Sequence, residues 1–186
     1  MPLPNDPALT GVARILSRWQ RSERALAVLA LSLILMLILG DVLMRELVAP
    51  LADAFGIQGV PSGVYAAQQR SLYLLVVVAF LGIGLSVATA GQIVPTVAFG
   101  WVPKRLEPLI ERLSHLVSAA IMFAVCWYGW LFVRDSMEYP TLLSGLNWPA
   151  WVVQSVIPLG FLSAGLRYLA FAIWPATAPA RPEVQE

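Results

Sequence analysis

Few side chains in this sequence could do chemistry, and their types and spacing limit what that chemistry would be. Asp41, His115, Cys126 and Arg167 are the ionisable or reactive groups inside otherwise apolar runs, and Ser86, Thr89 and Gln92 form a polar cluster at the end of another. Asp41 and Arg45 are four residues apart, so on a helix they share a face and can pair. They read as a structural ion pair, with a coupling-ion or proton site as the alternative. His115 is the sole histidine, and a haem or metal site would need ligands that this chain cannot supply in pairs. Cys126 is the sole cysteine, which excludes an intrachain disulfide and leaves a small buried hydrophobe.

Catalysis finds no footing in these residues. There are no paired carboxylates placed for general acid and base work, no serine or cysteine beside a base, and no phosphate-cradling glycine loop. The net charge is +1, and no Lys/Arg block is interleaved with aromatics, which excludes a nucleic-acid-binding stripe. The reading is a chain that is not an enzyme and carries no cofactor.

The elements that must position these groups are hydrophobic. Of 186 residues, 59% are hydrophobic and 12% charged, with a mean hydropathy of +0.74, whereas a soluble domain carries about 25% charged residues. Apolar runs at about 25–45, 71–94, 114–133 and 149–174 each approach or exceed the roughly 20 residues needed to cross about 30 Å of hydrocarbon. They lack period-two alternation, and a segment in lipid must satisfy its own backbone hydrogen bonds. The expected fold is therefore all-α: an integral membrane protein with four transmembrane helices. No secretory leader precedes the first run, which is expected to direct insertion itself.

Orientation follows from the basic residues. Arg14, Arg18, Arg21, Arg24, Lys104, Arg105, Arg112, Arg167 and Arg181 flank one side, against Arg45, Arg70 and Arg134 on the other. Nine against three predicts both termini in the cytoplasm. Trp19, Trp101 and Trp174 fall at the inner ends of the runs, and Trp127, Trp130, Trp148 and Trp151 towards the outer ends, as two interfacial belts require. Asp41 lies about 24 Å along a helix from Ala25, near the outer edge of the hydrocarbon, where Arg45 can reach the headgroups.

The expected division is a cytoplasmic segment 1–24 with an amphipathic helix, a transmembrane domain 25–174, and a disordered tail 175–186. Leu9, Val12, Leu16 and Trp19 share one face of that first helix, an interfacial pattern. A second amphipathic helix is expected over 104–113, with Leu106, Leu109, Ile110 and Leu113 on one side. The stretch Pro50 to Gly63 reads as an irregular periplasmic loop. Gly82, Ser86 and Ala90 recur every four residues, the spacing of a close helix contact in lipid. In the last run, Asn147 is expected to cap the helix with Pro149 in its first turn, and Pro158 to bend it. A stand-alone carrier would need paired interrupted helices around a midplane site, and this chain has one such proline without a partner repeat.

Three ordered stretches carry a likeness. They are Glu23-Arg24-Ala25 with a Leu-rich run ending in Asp41-Val42 and Met44-Arg45, then Phe80-Leu81-Gly82 closing with Gly91-Gln92-Ile93, and lastly Trp148-Pro149-Ala150-Trp151 followed by Ile157-Pro158-Leu159-Gly160-Phe161 and Leu166-Arg167. Over roughly residues 20 to 174 the chain resembles the small membrane subunit of TRAP transporters, the DctQ type. It departs from the family's usual histidine, basic residue and aspartate after that glycine, having Gln92, Val94 and Thr96, and from its acidic residues before the second span, having Gln68 and Gln69. The resemblance implies a non-catalytic scaffold in the bacterial inner membrane, surrounded by lipid. Its partners would be a large membrane subunit carrying organic-acid and sodium sites, and a periplasmic substrate-binding protein. Asp41, Arg45, Gly82, Ser86, Gly91, Gln92, Pro149, Trp151, Pro158 and Arg167 are the candidate structural or partner-interface residues. The competing reading is an accessory or anchor subunit of another membrane complex, such as a respiratory one.

Overall fold

The computed structural model describes residues 7–89 and 106–179, with side chains from Gly11 onward and without that of Glu107. Among these residues the fold is all-helical, with four helices long and apolar enough to cross a membrane. The first helix, α1, runs Pro7–Leu43. The amphipathic segment and the first span are thus one continuous helix, because no breaker stronger than Gly11 or Gly40 lies between them and Pro7 occupies its first turn.

The helix does not stop at the charged pair. A π-helical turn, Met44–Val48, follows, and the Ala49 N–H bonds the Met44 carbonyl five residues back. Pro50 is the physical cause: it has no N–H to give the Glu46 carbonyl, and the ladder shifts by one residue. Helix α2, Ala49–Ala54, then occupies the start of the stretch expected to be irregular. It ends where Gly56 adopts φ +68°, with Ile57 N–H on the Ala52 carbonyl at 2.9 Å and Gly56 N–H on Asp53 at 3.1 Å. This is a Schellman stop, which needs a left-handed residue. From Glu107 on, the amphipathic pattern and the apolar run that follows it also merge in α4, Glu107–Glu138, whose first turns carry exposed Leu109 and Leu113, while Lys104 and Arg105 lie outside the described residues.

The remaining helices are α3, Ala67–Ala88, the short α5, Ala150–Gln154, and α6, Val156–Ile173. The break between α5 and α6 falls at Ser155, and Pro158 sits buried in the first turn of α6. A proline disturbs the turn before it, so the bend appears three residues upstream. Gly129 of α4 lies opposite, where a Cβ would be 3.5 Å from the Pro158 nitrogen. Asn147 does not cap this helix: it adopts φ +56°, and Pro149 is the N-cap, with ψ 136° and no side-chain cap bond. The reason is a tight hairpin-like turn, closed by Leu143 N–H to the Trp148 carbonyl at 2.7 Å and Ala150 N–H to Thr141 at 2.8 Å, which requires Asn147 in its left-handed corner.

The helices stand in a row rather than a closed bundle. Helix α1 packs on α3, α3 on α6, and α6 on α4, while α1 and α4 share no extensive interface. The most apolar stretch of the last span is 44% buried, against 11 to 17% for the other three, so α6 is the most enclosed helix. Small residues on α6 permit the close approach: a Cβ on Gly160 would collide with the Phe80 carbonyl of α3, and one on Gly165 would lie 3.0 Å from the Phe123 ring of α4. Of the tail 175–186, the first residues form a 3-10 turn, Pro175–Thr177, that contacts α1, and 180–186 lie outside the described residues. Ala178 packs on the cluster of Val87, Ala164 and Phe171.

Candidate functional site

The densest polar chemistry lies where α1, α3 and α6 meet at the end of the row that holds both termini. Arg167 of α6 is 3% exposed, and such a cation needs a counter-ion in low dielectric. It finds Glu23 of α1, 5% exposed, through Nη2 to Oε2 at 2.6 Å. Arg167 Nη1 donates to Ser163 Oγ at 2.7 Å, and Ser163 donates to Glu23 Oε1 at 2.5 Å, which closes a ring. Trp19, one helical turn before Glu23, donates its indole N–H to Oε1 at 2.8 Å and lays its ring 5.8 Å from the guanidinium carbon. The arrangement satisfies the carboxylate on both oxygens and adds a cation–π contact.

The ring is built across α3, and Gly84 makes the passage. A Cβ there would lie 2.7 Å from Arg167 Nη1, 2.8 Å from Ser163 Oγ and 3.1 Å from Glu23 Oε1. Helices that share no extensive backbone interface are thereby joined side chain to side chain. Beside the ring, His115 of α4 meets the Tyr168 and Phe171 rings at 6.0 and 5.8 Å.

A second polar node occupies the opposite end of the row. Asp41 Oδ2 accepts from Arg45 at 3.0 Å, and Oδ1 accepts the Val64 backbone N–H at 2.9 Å, so the carboxylate also anchors the chain entering α3. Gly63 must be small there, because a Cβ would stand 2.6 Å from Oδ1. Arg70 donates Nε and Nη2 to the Gly145 carbonyl at 3.3 and 3.1 Å, and Tyr73 donates to Ser144 at 3.3 Å. The turn before α5 is thus tied to the start of α3.

The other residues singled out from the sequence are scattered. Gly82 meets nothing within 4 Å of a built Cβ, so among the described residues its small size serves no contact, and Ser86 lies one turn further along α3, half-buried. Trp151 is half-buried in α5, Pro149 precedes it, and Gly91 and Gln92 lie outside the described residues. Arg167, counted above among the flanking charges, is an interior residue and leaves eight flanking cations on its side. Glu23 escaped attention as a partner because it sits among arginines at the mouth of a span. The available signal was the depth of Arg167: a guanidinium in an apolar run demands a carboxylate at the same level.

Apolar helices in an open row, with their deepest charges neutralised internally, define a small multi-pass membrane protein. The sequence profile of the DctQ family, described as "Tripartite ATP-independent periplasmic transporters, DctQ component", matches residues 34–177, and the chain belongs to this family. It is a transporter component, not an enzyme. It is similar to the ectoine TRAP transporter small permease protein TeaB of Halomonas elongata, with 24% identity over 122 residues. That alignment covers 66% of this chain and 63% of the relative, so the chain spans less than two thirds of the relative's length. No solved structure matches it.

Proposed function

We propose that this chain is the small membrane subunit of a TRAP transporter. It lies in the bacterial inner membrane with both termini cytoplasmic, and it scaffolds a large permease subunit that carries out sodium-coupled uptake of an organic acid delivered by a periplasmic binding protein. The observation that carries the reading is the family match over residues 34–177. Two physical features support it. Among the described residues the two most deeply buried charges, Glu23 and Arg167, neutralise each other, and the open row offers broad apolar faces to lipid and to a larger partner. With Arg167 set aside, eight cations flank the terminal side against three on the other, which favours the same orientation. The Halomonas relative serves ectoine by its name; by this reading the substrate is selected by the other subunits.

The test is co-purification. The tagged chain, extracted in mild detergent with its genomic neighbours co-expressed, is expected to bring down a large multi-pass membrane protein, and substrate uptake is expected to require both. Recovery of the chain alone, with uptake intact in its absence, would remove the scaffold role. Orientation is read separately: in a Cys126→Ser background, a cysteine at the exposed Ala176 should resist a membrane-impermeant maleimide in whole cells, and one at the exposed Gln58 should react.

A further inference from the structure

The cleft between α1 and α3 at the Asp41 end has the shape and polarity of a lipid site. Its volume is about 390 Å³, within the roughly 300–1,000 Å³ of small-ligand pockets. Ile34 and Ile38 wall it on one side and Leu72 and Leu75 on the other, with Leu72 and Leu75 still 54% and 51% exposed. Its mouth is polar, formed by the Asp41–Arg45 pair and by Gln68 and Ser71 of the first turns of α3. Both helices therefore change from polar to apolar at one level, as a membrane interface does.

The mouth holds donors that no protein group among the described residues uses. Both Asp41 oxygens are occupied, one by Arg45 and one by the Val64 N–H. Arg45 contributes only Nη2 to that pair, its side chain is 63% exposed, and among the described residues its Nε and Nη1 bond no protein group. What remains is a guanidinium held on Asp41 through one nitrogen, with its Nε and Nη1 donors open above an apolar slot. An anion is drawn to the donors, and only an anion with a hydrocarbon chain gains from covering the leucine and isoleucine walls.

We propose that this cleft binds one membrane phospholipid, its phosphodiester on Arg45 and one acyl chain between α1 and α3. The Asp41–Val64 bond then has a second consequence, since it fixes the aspartate that orients the arginine. The site stands independently of which large subunit the chain serves and of which way the chain faces.

The experiment titrates the delipidated full chain with phosphatidylglycerol and reads bound lipid by native mass spectrometry. Wild type is expected to bind one lipid saturably, and Arg45→Gln to weaken binding by about tenfold, the loss of one charge-assisted hydrogen bond. Arg45→Lys should recover part of it, Leu72→Trp should block the slot, and Arg18→Gln, on the exposed far end of α1, should change nothing. Inorganic phosphate at the same concentration should not displace the lipid. The proposal is overturned by wild-type binding in Arg45→Gln, by equal loss in Arg18→Gln, or by displacement with inorganic phosphate. Should Leu72→Trp fail to fold, the contrast of Gln, Lys and Arg at position 45 decides alone.

Discussion

Arg167 and Glu23, separated by 144 residues, form a 2.6 Å ion pair that crosses a third helix through the space left by Gly84. The pair ties the first span to the last where their backbones do not pack extensively; Ser163 closes it into a ring, and Trp19 adds a further donor to Glu23. Two charges in a low-dielectric setting stabilise the fold only as a satisfied set, so the relationship is sensitive to loss of either member.

Removing one charge should therefore be worse than removing both. Glu23→Gln or Arg167→Met is expected to destabilise by about 3–5 kcal/mol, the cost of an orphaned buried ion. The double replacement Glu23→Leu with Arg167→Met should recover much of that loss. Thermal unfolding in detergent, read by tryptophan fluorescence, checks the order, and a double variant as damaged as the worse single one would contradict it.

Gly84 and Gly82 are two residues apart on α3 and should behave oppositely. Gly84→Ala places a Cβ against Arg167 and Ser163 and is expected to lower stability by about 1–3 kcal/mol through overpacking. Gly82→Ala meets open space and should leave the chain's own stability nearly unchanged. Under the scaffold reading, Gly82→Leu should still insert and fold while recovering less of the large subunit on pull-down; full recovery would mean that this position faces lipid.

At the opposite end, Asp41 has two tasks that substitution can separate. Asp41→Asn keeps an acceptor for the Val64 N–H and loses only a partly exposed ion pair, for a cost of about 0–1 kcal/mol. Asp41→Ala leaves that N–H unpartnered and should cost about 1–3 kcal/mol. Amide exchange at Val64 is the direct readout, slow in wild type and Asp41→Asn and fast in Asp41→Ala.

Gly160 and Gly145 should tolerate no side chain, for different reasons. A Cβ on Gly160 collides with the Phe80 carbonyl, a backbone atom that cannot swing aside. Gly145 sits at φ +81° with its missing Cβ directly against that of Ala66. Alanine at either position is expected to cut the yield of folded protein several-fold, as size-exclusion profiles at matched expression would reveal. A normal profile for Gly160→Ala would mean that α3 and α6 can separate at no cost.

By itself the sequence determined what depends on solvent and on neighbours along the chain. Long charge-poor runs require helices in lipid, which is why four spans are legible, and an i, i+4 spacing places Asp41 beside Arg45 on any helix. The ordered motifs around Asp41, Gly82 and Trp148-Pro149 pointed to the family found over residues 34–177. Local breaks were only half visible: Pro158 announced a bend but not that it falls at Ser155, and Asn147, a good cap in isolation, is taken by a turn instead. Which helices adjoin, and hence that Arg167 meets Glu23 over Gly84 and that Val64 binds Asp41, was decided by the tertiary structure alone. Those contacts join residues far apart in the chain, and apolar periodicity in lipid does not distinguish a face that meets another helix from one that meets the bilayer.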